Sequence, residues 1–461
     1  MSEKFGKDLT TGSIPRHLLN FSIPMLLANL LQTGYSIINT IWVGNKVGDN
    51  AVGAAQVSFP IVFMLISLAS GATLATTILV SQYYGAKDFK MVEKVVNNSF
   101  SIAIIMGVVL TVVGILASDA ILRLMDTPQE IFSMASSYLK ISLAGFVLIF
   151  LTFLITSILR GIGDTKTPLI FMAVGVAMNA VLDPLMIIGI GPFPKMGLDG
   201  AAYASLIAQA AAFVMAMIYL SRKNHFVAIN LKKLTLDRKL TYVIFKLGFP
   251  SMVQQSLVSI SSAFITGFVN AFGATATSAF GAAARIESLV FMPAMSFGMA
   301  ASALAGQNLG AGKPERVKDV FKWGIIMTSV VTLVLSGLIV AFPKLLLSMF
   351  VQETEVLDIG IGYLRIVGCF YIVFAIMFIS NGIINGAGKT MATMIFTIVT
   401  LWVVRVPLSA ILSKTGLQIS GIWISIDIGF TVGLIISLSY YFTGKWRKSA
   451  VIRQSAPEPI V

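Results

Sequence analysis

Charge is scarce in this chain. Only 11% of its 461 residues are Asp, Glu, Lys or Arg, where a soluble domain carries about a quarter. With 56% hydrophobic residues, that scarcity excludes both a soluble multi-domain protein and a disordered one. Cysteine is scarcer still: Cys369 stands alone and cannot make an intrachain disulfide, which excludes a stapled secreted fold. The two histidines, His17 and His225, are too far apart in sequence to suggest a metal cluster. The first 16 residues hold no apolar stretch of the kind that precedes signal cleavage, so the first apolar run is expected to stay in the mature protein. What the chain does have is about twelve apolar runs, each near the ~20 residues that cross a bilayer. Lipid offers backbone groups no partners, so the expected fold is an all-α integral membrane protein of twelve transmembrane helices.

The net charge of +13 is unevenly spread. Of the 33 Lys and Arg residues, 24 fall in the N-terminus, the even-numbered loops and the C-terminus. Among them are Lys4, Lys7, Arg16, Lys223, Lys232, Lys233, Lys448 and Arg453. The odd-numbered loops hold five, and Lys140, Arg285, Arg365 and Arg405 fall within spans. The positive-inside rule then puts both termini in the cytoplasm. The basic excess reads as topology, and nucleic acid is not an expected partner.

The longest basic loop joins two similar halves. Tyr138-Leu139-Lys140-Ile141 is followed 225 residues later by Tyr363-Leu364-Arg365-Ile366. Gln82 and Gly85 match Gln307 and Gly310 at the same offset, as Gly161 to Thr165 match Gly386 to Thr390. Pro24 pairs with Pro250, and Pro184-Leu185 with Pro407-Leu408. This is a six-plus-six internal repeat. It gives an N-terminal lobe over residues 1–221, a cytoplasmic linker over 222–242 and a C-terminal lobe over 243–461. Six spans per half make the repeat parallel, with a pseudo-two-fold along the membrane normal. A substrate cavity between the lobes and alternating access follow as expectations.

Ionisable groups inside spans are costly and mark function by default. Three acids qualify: Asp183, Glu287 and Asp427. Asn179 precedes Asp183 by one helical turn on the same face, and Pro184 follows it; a kink there frees a carbonyl. A carboxylate, an amide oxygen and a carbonyl suit Na⁺, while the same carboxylate in a dry site would carry a proton instead. Tyr35 and Asn39, four apart on the first span, could join them; a helix-gluing polar knot is the plain alternative. Glu287 reads either as a carboxylate facing the substrate cavity or as half of a buried ion pair. Arg285, two residues away, points to another face and needs another partner. Asp427 and Arg405 are expected to form a structural pair, and Lys140 and Arg365 to snorkel. Gln32, Gln254 and Gln255 are candidate cavity residues, though most such side chains pack helices. Asn385 to Thr390 resembles the end of a phosphate-binding loop, but Ile383 stands where that motif needs glycine, so no ATPase motor is expected.

The chain resembles the multidrug and toxic compound extrusion (MATE) transporters of bacterial type over essentially its whole length. The resemblance rests on Ile38-Asn39-Thr40-Ile41-Trp42-Val43-Gly44, Ser81-Gln82-Tyr83-Tyr84-Gly85-Ala86, Leu182-Asp183-Pro184-Leu185, Gly197-Leu198-Asp199-Gly200-Ala201-Ala202, Arg285-Ile286-Glu287 and Gly306-Gln307-Asn308-Leu309-Gly310-Ala311-Gly312. It implies two six-helix lobes in the bacterial cytoplasmic membrane. It also implies export of amphiphilic organic cations against inward H⁺ or Na⁺, with no cofactor and no catalytic residue. Many relatives couple through an aspartate on the first helix plus an asparagine and an aspartate on the fifth. The last two match Asn179 and Asp183; the first is Asn39 here. The sixth-helix position that carries a hydroxyl in some relatives reads as Ala201 or Ala202. Acids that some relatives use on the seventh and tenth helices are missing. The cation-coupling set is therefore Asp183, Asn179, Asn39 and Tyr35, and the substrate-cavity set Glu287, Gln32, Gln254, Gln255 and Arg285, in a protein expected to act as a monomer. The alternative within transport is a flippase or exporter of a lipid-linked or amphiphilic metabolite, which would call for a basic cavity. An intramembrane enzyme would need a clustered nucleophile and base, and one cysteine without a buried histidine argues against it.

Overall fold

The computed structural model describes residues 6–222, 227 and 234–447. Lys4, Lys223, His225, Lys232, Lys233, Lys448 and Arg453 lie outside them. Among the described residues every regular element is helical. In chain order these are α1 (Ile14–Lys46), α2 (Asp49–Gly85), α3 (Phe89–Leu124), α4 (Gln129–Ala144), α5 (Phe146–Gly161), α6 (Lys166–Ile188), α7 (Gly197–Arg222) and α8 (Arg238–Asn270). They continue as α9 (Ala274–Gly310), α10 (Pro314–Ala341), α11 (Pro343–Leu347), α12 (Thr354–Gly368), α13 (Tyr371–Gly386), α14 (Thr390–Thr397), a π-helix (Ile398–Arg405), α15 (Val406–Leu412) and α16 (Gln418–Phe442).

Ten helices are long and apolar enough to cross a membrane, α14, the π-helix and α15 counting as one. Two more spans are bent pairs, α4 with α5 at 43° and α12 with α13 at 48°. Together they give the twelve expected spans. The two bends share the repeat spacing: Phe146 and Tyr371, which begin the second segments, are 225 residues apart. So do the turns at Gly163 and Gly388, both left-handed at φ 83° and 78°, where glycine has no Cβ to clash. The Asn385–Thr390 stretch is thus a short turn between helices. Asp164 caps the following helix, accepting from the Lys166 and Thr167 amides at 3.1 Å, which satisfies donors that a helix start leaves free.

The chain forms two compact units. The first comprises Met1–Lys7, Leu27–Val80 and Asp88–Lys246. Its core gathers Val43, Leu122, Leu139, Leu143, Ile187 and Leu198. Here α6 and α7 cross at close quarters. A Cβ on Gly200 would stand 2.6 Å from the Met186 carbonyl oxygen, so only glycine allows the backbones this approach. Without a hydrophobic drive between helices in lipid, such small-residue crossings carry much of the packing.

The second unit comprises Asp8–Leu26, Ser81–Lys87 and Leu247–Val461. One core centres on Tyr363, Tyr371, Phe374, Trp423 and Phe430. Another packs Leu9, Ile14, Leu18 and Phe21 against Ala300, Leu304, Ile383, Tyr441 and Trp446. The Leu9 amide donates to Gln307 Oε1 at 3.0 Å, and Asn308 Nδ2 donates to the Leu9 carbonyl at 3.2 Å. Lys313 and Arg316 donate to the Thr10 and Gly12 carbonyls at 3.0 Å each. Residues from the start of the sequence are therefore integral to this unit. The α9–α13 crossing is another small-residue seam, with Gly382 against the Gly298 carbonyl and Gly386 against that of Ser302.

The eleventh span is irregular in another way, through its π-helix. Pro407 follows it closely and has no N–H to give the Val403 carbonyl; the turns before it use i→i+5 bonds, a geometry that recurs at functional positions.

Candidate functional site

In the first unit the α6 carboxylate is sealed in. Asp183 is 0% exposed and Asn179 6%. The Tyr35 hydroxyl, from α1, lies 3.3 Å from Asp183 Oδ2 and donates to it. It also lies 3.2 Å from Ser205 Oγ on α7, which accepts from Asn179 Nδ2 at 3.2 Å. Three helices thus converge on one polar centre. Its unusual feature is what is left over. Asp183 Oδ1, Asn179 Oδ1 and Asn39 Oδ1, the last one turn beyond Tyr35, are all buried without a hydrogen-bond partner. Native proteins pair such atoms almost without exception. Oxygens without donors are what a small cation or a transferable proton satisfies.

Tyr35, Asn179 and Asp183 are therefore brought together as expected. Ser205 is the residue sequence reasoning missed. It sits one turn beyond Ala201 and brings a hydroxyl to Tyr35 and Asn179. The four-residue spacing from Ala201 puts it on the same helix face, but no local signal shows that this face meets α6.

In the second unit, Glu287 on α9 accepts from the Tyr363 hydroxyl on α12 at 2.9 Å. Phe280 and Trp423 wall Tyr363, with ring centroids 5.6 and 4.7 Å away. Arg285 points elsewhere, its guanidinium 5.8 Å from the Phe350 ring centre. Gln254 donates to Thr397 Oγ1 at 2.9 Å, which makes it a helix-packing contact in this conformation. Gln32 and Gln255 are exposed.

The expected Arg405–Asp427 pair does not form. Arg405 Nε and Asp427 Oδ1 are both buried without a partner, and the Arg405 charge interacts with Tyr363 and Glu287. Arg405 ends the π-helix, where each residue turns the chain through less than the α-helical angle. Its direction therefore departs from one judged on a 3.6-residue period. Nor is Lys140 a lone snorkelling cation: it pairs with Asp119 at 2.8 Å. Among the described residues no group of three or more His, Cys, Asp or Glu is arranged to hold a metal.

Known proteins bear on the family and the fold. The MatE family model matches residues 24–185 and again 250–411, a recurrence at the internal repeat spacing. The chain is 35% identical over 445 residues to a probable multidrug resistance protein of Bacillus subtilis, YoeA, covering 96% of each. It is 24% identical over 446 residues to an FAD transporter of Shewanella oneidensis, again covering 96% of each. Among solved structures it resembles the outward-facing conformation of a multidrug resistance MATE family transporter. That match has a TM-score of 0.89 and 26% identity, and covers 96% of this chain and 98% of the other.

Proposed function

We propose, for a chain that belongs to the MatE family of membrane transporters rather than to any class of enzyme, that it is a multidrug efflux antiporter. It expels amphiphilic organic cations by alternating access as H⁺ or Na⁺ moves inward. It works as a monomer in the bacterial cytoplasmic membrane with both termini in the cytoplasm. The coupling ion binds at Asp183, Asn179, Asn39 and Tyr35, with Ser205 as a further ligand or positioning group. Glu287, with Gln32, Gln254, Gln255 and Arg285, forms the substrate-facing set.

The observation that carries this reading is the trio of buried, donorless oxygens on α1 and α6. A carboxylate that only glued helices together would have its acceptors filled. A cation bound there would find acceptors that no donor in the protein fills. Releasing it leaves them costly, and that cost is what a conformational change can relieve.

The test is substrate efflux from proteoliposomes with pH and Na⁺ gradients imposed separately. Asp183→Asn, nearly isosteric, should abolish ion-driven efflux while the protein still melts cooperatively. Undiminished drug resistance in cells expressing that variant would overturn the assignment.

A second reading, export of an amphiphilic metabolite, is supported by the similarity to the FAD transporter. An anionic cargo calls for free basic groups. Within the substrate-facing set the one basic group, Arg285, lies against Phe350, which favours cations. Competition between ethidium and FAD for efflux separates the two.

A further inference from the structure

The break between α12 and α13 opens a cavity of about 490 Å³ against α16, within the usual size range of small-molecule sites. Its apolar wall includes Ile366, Phe370 and Ile428, and its polar groups include Arg365, Cys369 and Asp427. Asp427 is 4% exposed, yet its Oδ1 has no hydrogen-bond partner. Among the described residues no basic group forms an ion pair with it, and the charged group that acts on it is another acid, Glu287. Arg365 is exposed on the same cavity and pairs with no acid. A buried carboxyl with an unpartnered oxygen and an exposed guanidinium thus line one cavity inside the spans, where an unsatisfied polar group is expensive.

We infer that this cavity binds a zwitterionic amphiphile bearing an ammonium with N–H donors beside an anionic group, the headgroup chemistry of phosphatidylethanolamine. The ammonium donates to Asp427 and offsets its repulsion from Glu287. The phosphate accepts from the Arg365 guanidinium fork. The acyl chain lies along Ile366, Phe370 and Ile428. Each other class leaves something unmet. Phosphatidylglycerol has no cation for Asp427. Phosphatidylcholine has a cation without N–H donors. A simple alkylamine leaves Arg365 unpaired.

The chain carries its own reporter. Cys369 is its single cysteine, is exposed and lines this cavity. The experiment measures the rate of Cys369 alkylation by N-ethylmaleimide in the purified full-length protein, with phosphatidylethanolamine, phosphatidylcholine, phosphatidylglycerol or dodecylamine added to the detergent. Phosphatidylethanolamine should slow alkylation about tenfold, as one charge-assisted hydrogen bond of ordinary strength would. The other three should change it less than about twofold on the same scale. Asp427→Asn and Arg365→Gln should each remove the protection. The inference is overturned if all four additives act alike, or if both variants keep full protection. It is also overturned if dodecylamine protects as well as phosphatidylethanolamine. The comparison of lipids uses the unaltered chain, so it stands even if a variant fails to fold.

Discussion

The crossing of α6 and α7 connects packing to function, and Gly200→Ala tests the connection. The new methyl would meet the Met186 carbonyl oxygen at 2.6 Å, with the Met186 carbon at 2.7 Å and the Ile187 nitrogen at 3.0 Å. All three are backbone atoms, so no rotamer change can make room. Ordinary contact begins at 3.4 Å, so the helices must part by roughly 0.8 Å, on the scale at which a close-packed contact is lost. That shift would stretch the 3.2 Å bond from Asn179 to Ser205 to about 4 Å, beyond hydrogen-bond range. Overpacking costs about 1–3 kcal/mol and each lost hydrogen bond about 0.5–1.5 kcal/mol. The control lies on the same helix pair. A methyl on Gly175 would touch Ala212 Cβ at 3.6 Å, and replacing glycine in a helix gains up to about 1 kcal/mol. The purified variants should therefore melt on opposite sides of the parent, and only Gly200→Ala should lose ion-driven efflux. A Gly200→Ala protein as stable as the parent, or a Gly175→Ala protein as damaged as Gly200→Ala, would refute the reasoning.

Three other outcomes follow from the same geometry. Tyr35→Phe removes the donor to Asp183 Oδ2 without changing the ring's packing; coupled efflux at a fixed gradient should fall about tenfold, the scale of a charge-assisted hydrogen bond, with the melting temperature nearly unchanged. Ser205→Ala should give a smaller loss of efflux, and the double variant less than the sum of the two, because both act on one network. Glu287→Gln should weaken transport of monovalent organic cations and also lower stability by about 1–3 kcal/mol, since the Tyr363 hydroxyl loses its charged acceptor. A stability loss with unchanged transport would show that Glu287 only holds the unit together.

Much of this architecture was readable in the sequence because lipid enforces it. Apolar length marks spans, and the 225-residue offset, carried by Gly163 and Gly388 among others, marks the repeat. The pairing of Asn179 with Asp183 was legible from a four-residue spacing on a regular helix. Ser205 was not, because serine is common in spans and nothing local tells which face of α7 meets α6. The Arg405–Asp427 expectation failed where helical regularity failed, at a π-helix that periodicity cannot see. The bends in the fourth and tenth spans were equally hidden, since a bent span and a straight one have the same composition.

The membership of Asp8–Leu26 in the second unit bears on how the protein is made. Leu9 finds its partner Gln307 across 298 residues, and its core neighbour Trp446 is translated later still. At about 5–20 residues per second, the opening segment waits tens of seconds for the helices it packs on. Nearly all of the first unit is synthesised within that interval and could settle before the second exists. Biogenesis is then ordered: Leu9 leaves the ribosome well before the residues it packs on. A bulky fusion ahead of Leu9 should spare the first unit and penalise the completion of the second.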